Sequence, residues 1–429
     1  MSNPVELNTV LVGGGHCGLN LGCWLAEKND TSYIVLERGD LLHAWKHNRW
    51  DAFVMNTPMK YSRLHNQNDN VPDTAMARPL KEDIGRWEEH VKKMGVTCRE
   101  KCEVTSVTLR ADGRFVTDVM CADGGVDQYV SSNVVACNGN YDHLSIPECR
   151  KALHPSIRQL QSDRFRSEAQ LRDGAVLIVG GGQSGVQLAD VLLRKGKKVY
   201  LCTSLVPGSV RSYRGEDVFV WMERTGFSDM TKEALTHLPD QMAKALRYGR
   251  IPVTGSTKPI SPFSLHRLGA TLLGGLEGVG DDGMTVTLKP NRQMNIAVCA
   301  EAYLGLPHNV EEWLKATGKE KEFKPPDDFP EPEWEPVTEL LEKPGPQTLN
   351  LKEEGITNVL WATGHKPDFS WIKIDKVHEG FDAVNNKPNN LETAVPGFFF
   401  AGFHWLNTLQ SGNVLGFDKD HEIIINKLR

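Results

Sequence analysis

Residues 10–28 read VLVGGGHCGLNLGCWLAEK, and residues 176–196 read VLIVGGGQSGVQLADVLLRKG. Each stretch runs from strand-forming residues through a glycine cluster into a helix-like run. Gly13, Gly15 and Gly18 punctuate the first; Gly180, Gly182 and Gly185 punctuate the second. In such a turn the first glycine allows the sharp bend, the second lets backbone approach a pyrophosphate, and the third lets helix pack on strand. The phosphates then meet the free N–H groups and the positive dipole end of that helix. Gln183 and Ser184 stand in its first turn in the second copy. One copy is weak evidence. Two copies predict two dinucleotides, electrons passing between them, and an α/β chain with two Rossmann-like domains.

Working outward from the first copy, the strand Ser32–Leu36 ends in Glu37, nineteen residues beyond Gly18. An acidic group there accepts hydrogen bonds from a ribose diol; the competing reading is a solvated carboxylate at a strand end. Beyond the second copy, Lys198–Cys202 ends in Thr203-Ser204, with no Asp or Glu to hold a free 2′-hydroxyl. That absence permits a 2′-phosphate, for which Arg211 and Arg214 are the nearby cations. As loop residues they also read as solvated charges.

Between these units, residues 40–79 are irregular and rich in Trp, His, Asn and Pro. Asp83–Gly95 is predicted helical, with Ile84, Trp87 and Val91 on one face. Short strands follow to Asp127, then Val134–Ala136 before Asn138-Gly139. The stretch 216–250 looks helical, a covering element; strands resume over 270–288; 305–346 reads as a Pro- and Glu-rich surface excursion with little regular structure. The close is predicted as strands over 358–362 and 397–403, then a helix from about Asn413 to Leu428. The division expected is an interrupted first nucleotide domain, 1–152 and 291–429, with 153–290 inserted as the second nucleotide domain.

The 429 residues, 40% hydrophobic and 24% charged, have a formal net charge of −6, which argues against a nucleic-acid partner. No apolar run approaches the roughly 20 residues of a membrane span, and strand one begins too early for a signal peptide before it. Nine scattered cysteines without a CxxC pair read as cytosolic thiols, which removes a disulfide-reductase chemistry. No metal site is expected, and a homo-oligomer is left open.

With both glycine turns placed, the chain resembles the class B flavin-dependent monooxygenases: flavin-containing monooxygenases, YUCCA enzymes and CzcO-like flavoproteins. The likeness is carried by Ala44-Trp45-Lys46, Arg49-Trp50-Asp51-Ala52-Phe53, Asn56-Thr57-Pro58 and Ser212-Tyr213-Arg214-Gly215-Glu216-Asp217. Trp361-Ala362-Thr363-Gly364, Pro367-Asp368-Phe369-Ser370-Trp371 and the closing Gly402-Phe403-His404-Trp405 extend it. The resemblance implies FAD in the first site, NADPH in the second, and oxygen as co-substrate, adding at the flavin C4a to give a (hydro)peroxide. It implies Asn56 near that peroxide, where the rival reading is an Asx-turn. Trp45, Lys46, Thr57, Gly364, Gly402 and His404 are implied flavin or nucleotide neighbours, and Ser411-Gly412-Asn413 would start the last helix at the flavin. Gln161 stands where relatives carry a histidine, which makes Baeyer–Villiger chemistry less expected.

The function so implied is NADPH- and FAD-dependent monooxygenation of a small molecule at nitrogen, sulfur or an electron-rich aromatic carbon. A flavin reductase or oxidase needs the same two nucleotide sites, and a nucleotide-sensing flavoprotein is a third reading. Trp45, Trp50, Tyr61, Trp221 and Trp405 are candidates for an apolar pocket, with core packing as the alternative.

Overall fold

Val10 and Leu11 are wholly buried, and every residue of Ala175–Val179 is buried, as parallel strands covered on both faces must be. The computed structural model describes residues 3–76, 78–247, 255–326, 334–382 and 386–429. Two sheets organise them. In the first, Cys98–Arg99, Tyr33–Leu36, Val5–Val12 and Val126–Ala136 lie side by side and parallel. Val126–Ala136 is long enough to take two neighbours on its far edge. Its first half pairs antiparallel with Phe115–Cys121, which pairs with Cys102–Leu109; its last three residues pair parallel with Phe398–Phe400. The end of the chain thus completes the sheet that its beginning opens.

The second sheet is all parallel, in the spatial order Thr271–Leu273, Val199–Cys202, Ala175–Val179, Ile356–Trp361, Arg158–Gln161. A small antiparallel sheet of Leu276–Val279, Thr285–Leu288 and Thr348–Asn350 flanks it. This corrects the expected division at residue 290. Ile356–Trp361 is central in the second sheet, not part of the first, because Ala175–Val179 needs a parallel neighbour on its free edge. Pairing across so many residues leaves no local signature.

The excursion is also corrected. Arg292–Thr317 is one helix running straight through Pro307. Its buried Ile296, Cys299, Tyr303, Val310 and Leu314 recur at helical spacing, and that packing outweighs the roughly 3 kcal/mol an interior proline costs. Residues 327–333 of the excursion lie outside the described set. The covering element over 216–250 resolves into helices Val218–Arg224 and Asp240–Arg247 joined by 3-10 turns; residues 248–250 are not among those described. Leu80–Met94 is helical, with Trp87 and Val91 buried. The last helix starts at Phe417, not Asn413. Among the described residues no helix is long and apolar enough to cross a membrane.

Candidate functional site

The two glycine turns are near copies in three dimensions. Gly13 and Gly180 have φ of +114° and +115°, a region closed to most L-residues. A β-carbon at Gly18 would sit 2.0 Å from the Gly13 carbonyl oxygen, and one at Gly185 would sit 1.8 Å from that of Gly180. Helix and strand therefore touch through bare backbone. At Gly15 and Gly182 the opposite holds: a β-carbon would meet nothing within 4 Å. Those two residues face open space at the N-termini of helices His16–Glu27 and Gln183–Arg194. Neither helix has a side-chain N-cap or an acidic residue in its first turn. Bare, uncapped N–H donors at an open helix end fit a pyrophosphate. Gln183 and Ser184 stand beside Gly182, half-buried in the first turn.

The residues after the second strand of each unit differ in charge. Glu37 is buried, and its two carboxylate oxygens accept from the N–H groups of Gly14 and Gly39, each at 2.8 Å. In the second unit the Gly181 N–H, the counterpart of Gly14, donates instead to the Ser204 hydroxyl at 2.9 Å. A neutral serine thus occupies the role of the carboxylate. Thr203 faces inward, donating to the Leu273 carbonyl at 2.7 Å and accepting from Asn295 at 3.1 Å.

The three cations expected at the nucleotides are each engaged by the protein itself. Arg211 is 4% exposed; its guanidinium pairs with Asp217 and donates to the carbonyls of Asn56 and Gly255, each at 3.1 Å. Arg214 is buried against Glu311 and the carbonyls of Glu320 and Lys324. Lys46 pairs with Glu88 at 2.6 Å. The partners stand six, 97 and 42 positions away, and the two distant ones leave no trace in the local sequence. Of the five aromatic candidates, Trp50, Trp221 and Trp405 are core residues, the alternative to an apolar pocket. Trp45 is half-buried, edge-on to Trp87 at 5.6 Å, with the Arg49 guanidinium 5.0 Å from its ring centre.

Asn56 joins the two bodies. Its side-chain Oδ1 accepts from the Gln187 amide at 3.2 Å, on the second fingerprint helix, while its backbone carbonyl accepts from Arg211. Gln187 was missed in the sequence, although it lies one helical turn beyond Gln183. With Oδ1 committed to Gln187, the Asn56 Nδ2 group is turned elsewhere. Beside it the Thr57 hydroxyl bonds Ser62 at 2.6 Å, and the Thr57 carbonyl accepts from Arg78. Tyr61 and Lys60 form a second bridge, both to Glu223 at 2.7 Å.

Five of the buried polar atoms that have no hydrogen-bond partner among the described residues lie just past the C-terminal ends of parallel strands. They are Asn138 Oδ1 and Asn140 Oδ1 after Val126–Ala136, Thr363 Oγ1 after Ile356–Trp361, Asp163 Oδ1 after Arg158–Gln161, and His404 Nδ1 after Phe398–Phe400. Open α/β sheets bind ligands at these ends, and orphaned buried polar atoms cost stability unless a ligand meets them. The bare N–H donors at the two helix ends, with these orphaned and mostly acceptor atoms beyond the strands, fit two bound dinucleotides. Gln161, half-buried, ends its strand opposite Trp361, and its carbonyl accepts from Arg164 and Phe165. Gly364 has φ +82° and its carbonyl accepts from Ser145. Gly402, φ +79°, rests on the first fingerprint helix: a β-carbon there would come within 2.8 Å of Cys17 Sγ. Burial pushes His404 down to about 3, so its imidazole is neutral. Asn413 is corrected: it sits in a turn, its Oδ1 accepting from Leu415, four residues short of the helix it was expected to start. Two surface depressions of about 550 and 540 Å³, beside Asp368 and Leu391, contain none of the fingerprint glycines.

A family model described as pyridine nucleotide-disulphide oxidoreductase matches residues 10–228. The uncharacterized oxidoreductase CzcO of Bacillus subtilis is 29% identical over 222 residues, 51% of this chain and 61% of that protein. An uncharacterized CzcO-like oxidoreductase of Geobacillus kaustophilus is 23% identical over 431 residues, 98% of each chain. A flavin monooxygenase variant from Stenotrophomonas maltophilia superposes with a TM-score of 0.60 at 16% identity, over 99% of this chain and 98% of that one. At that identity the likeness is one of fold.

Proposed function

The chain belongs to the pyridine nucleotide-disulphide oxidoreductase family, and on that premise we propose that it is an NADPH- and FAD-dependent monooxygenase. Its substrates would be O2 and a small organic molecule oxygenated at nitrogen, sulfur or an electron-rich aromatic carbon. One observation carries the reading: two open, uncapped glycine turns belong to bodies clasped by the Asn56–Gln187 and Asn56–Arg211 hydrogen bonds.

Bound FAD supplies the redox and oxygen-activating chemistry. The chain's residues then have separable tasks. The Gly13–Gly18 turn and first helix end bind the flavin dinucleotide's phosphates, with Glu37 placed for a ribose diol. The Gly180–Gly185 turn does the same for the nicotinamide dinucleotide. Ser204, uncharged, accepts a 2′-phosphate that a carboxylate in that place would repel. Gln187 orients the Asn56 amide so that Nδ2 remains a donor for an oxygen atom awaiting transfer. Buried Phe403, between Gly402 and His404, excludes water. The nine free cysteines fit a reducing cytosol.

Purified protein tests this directly. The reading predicts one FAD per chain, a preference for NADPH over NADH, and NADPH oxidation that yields oxygenated product in a panel of amines, thioethers and phenols. Hydrogen peroxide as the sole product throughout that panel would identify an oxidase instead.

A further inference from the structure

Beyond the first mouth, the segment following Glu37 gathers three side chains that nucleotide binding leaves unused. His43 and His47 stand one turn apart on the helix His43–His47, so their rings leave the same face, with centres 4.5 Å apart. His47 Nε2 lies 3.4 Å from Asp40 Oδ2. One ligand atom from each of Asp40, His43 and His47 falls within 4.8 Å of the other two.

The segment is held from behind. Leu42 is wholly buried, its N–H donates to the Gly14 carbonyl at 2.9 Å, and its φ of +62° is unusual for a branched residue. Anchored there, the chain presents both imidazoles outward: His43 and His47 are exposed. Gly39 completes the arrangement, since a β-carbon at that position would come within 2.5 Å of His43 Nδ1.

We propose that Asp40, His43 and His47 bind a borderline divalent transition-metal cation, Zn2+ or one of like preference. Two imidazoles and one carboxylate form the donor set such ions select. A single carboxylate is too poor in oxygen for Mg2+ or Ca2+. Bonds of about 2.1 Å in a tetrahedron place ligand atoms about 3.4 Å apart, and modest rotation of two exposed rings closes the remaining gap. Solvent supplies the fourth position. The site hangs on the Gly14 carbonyl but shares no donor with either nucleotide mouth, so it stands whether or not the monooxygenase reading does.

Calorimetric titration of the protein as purified, after chelator treatment, with ZnCl2 alone is the test. Wild type takes up Zn2+, and His43→Ala, His47→Ala and Asp40→Asn each weaken that binding about tenfold or more. Cys98→Ser and Cys149→Ser leave it unchanged, MgCl2 gives no heat, and Co2+ shows no thiolate charge-transfer band. Because the substituted rings are exposed, thermal unfolding and FAD content stay at wild-type values, which separates lost metal from lost fold. No Zn2+ uptake by wild type, equal uptake by the His43→Ala/His47→Ala double variant, or loss of uptake in the cysteine variants would each overturn the site.

Discussion

Replacing Gly15 and Gly18 by alanine, one at a time, separates ligand binding from folding at the first mouth. Gly15 has φ −76° and ψ −178°, which alanine adopts freely, and its β-carbon would meet no protein atom within 4 Å. The folded chain should not notice the change, and the reduced entropy of the unfolded chain stabilises by about 0.4–1 kcal/mol. The methyl group does enter the space in front of the helix end, where a pyrophosphate would lie. Losing two charge-assisted N–H contacts of about 1.5 kcal/mol each removes about 3 kcal/mol, a weakening of FAD binding of roughly a hundredfold. Gly18→Ala is the reverse case. Its β-carbon would stand 2.0 Å from the Gly13 carbonyl oxygen, so helix and strand must part by about 1 Å, and such overpacking costs about 1–3 kcal/mol or more. The assay pairs FAD content, read by absorbance after denaturation, with thermal unfolding of flavin-stripped protein. Gly15→Ala should be colourless with an unchanged or slightly raised Tm; Gly18→Ala should unfold earlier. A Gly15→Ala protein that keeps FAD at wild-type affinity, or a Gly18→Ala protein as stable as wild type, would refute the geometry. Gly182→Ala and Gly185→Ala should divide in the same way for NADPH.

Ser204→Glu places a carboxylate where Gly181 already donates, and should lower the NADPH-to-NADH ratio of kcat/KM about tenfold; an unchanged ratio would remove Ser204 from the site. Arg211→Met strands Asp217 and the Asn56 carbonyl, so denaturant titration should show a loss of about 3–5 kcal/mol with that ratio unaltered. A shift in the ratio without loss of stability would restore Arg211 as a nucleotide contact. Gln187→Ala frees the Asn56 amide, and should raise the hydrogen peroxide yield per NADPH while FAD content stays constant; coupling equal to wild type would end the positioning role. Burial pushes His16 down to about 4 and His404 and His421 to about 3, whereas it pushes Asp420 up to about 6. Below pH 6.5 the unfolded chain therefore takes up three protons that the folded chain refuses, and below pH 6 Asp420 returns one. The net loss is about 3 kcal/mol per pH unit between pH 6 and 4. Flat stability over that range, by urea titration, would contradict the burial of these imidazoles.

What could be read from residues alone was local. Both glycine turns, the Glu37 carboxylate and the helix carrying Trp87 and Val91 follow from short-range spacing, and they lie where that spacing puts them. What escaped depends on distant partners. Ile356–Trp361 carries no mark of the strand it joins, since any apolar run suits either sheet. Arg214 finds Glu311 across nearly a hundred residues. Arg211 was more accessible, because Asp217 stands only six residues beyond it. Pro307 misled for another reason: composition counts a proline as a breaker, while the buried residues spaced along Arg292–Thr317 decide the outcome. Gln187 was legible as the next turn of the helix face that begins with Gln183.

In the proposed function, electrons from one dinucleotide reach oxygen at the other inside a site the protein shields. Rapid mixing of anaerobically NADPH-reduced protein with oxygenated buffer tests it most directly. A transient absorbance spectrum distinct from both oxidised and reduced flavin, shortened by the Gln187→Ala exchange, is the predicted result. A single-step return to oxidised flavin, at the same rate in both proteins and with stoichiometric hydrogen peroxide, would contradict it.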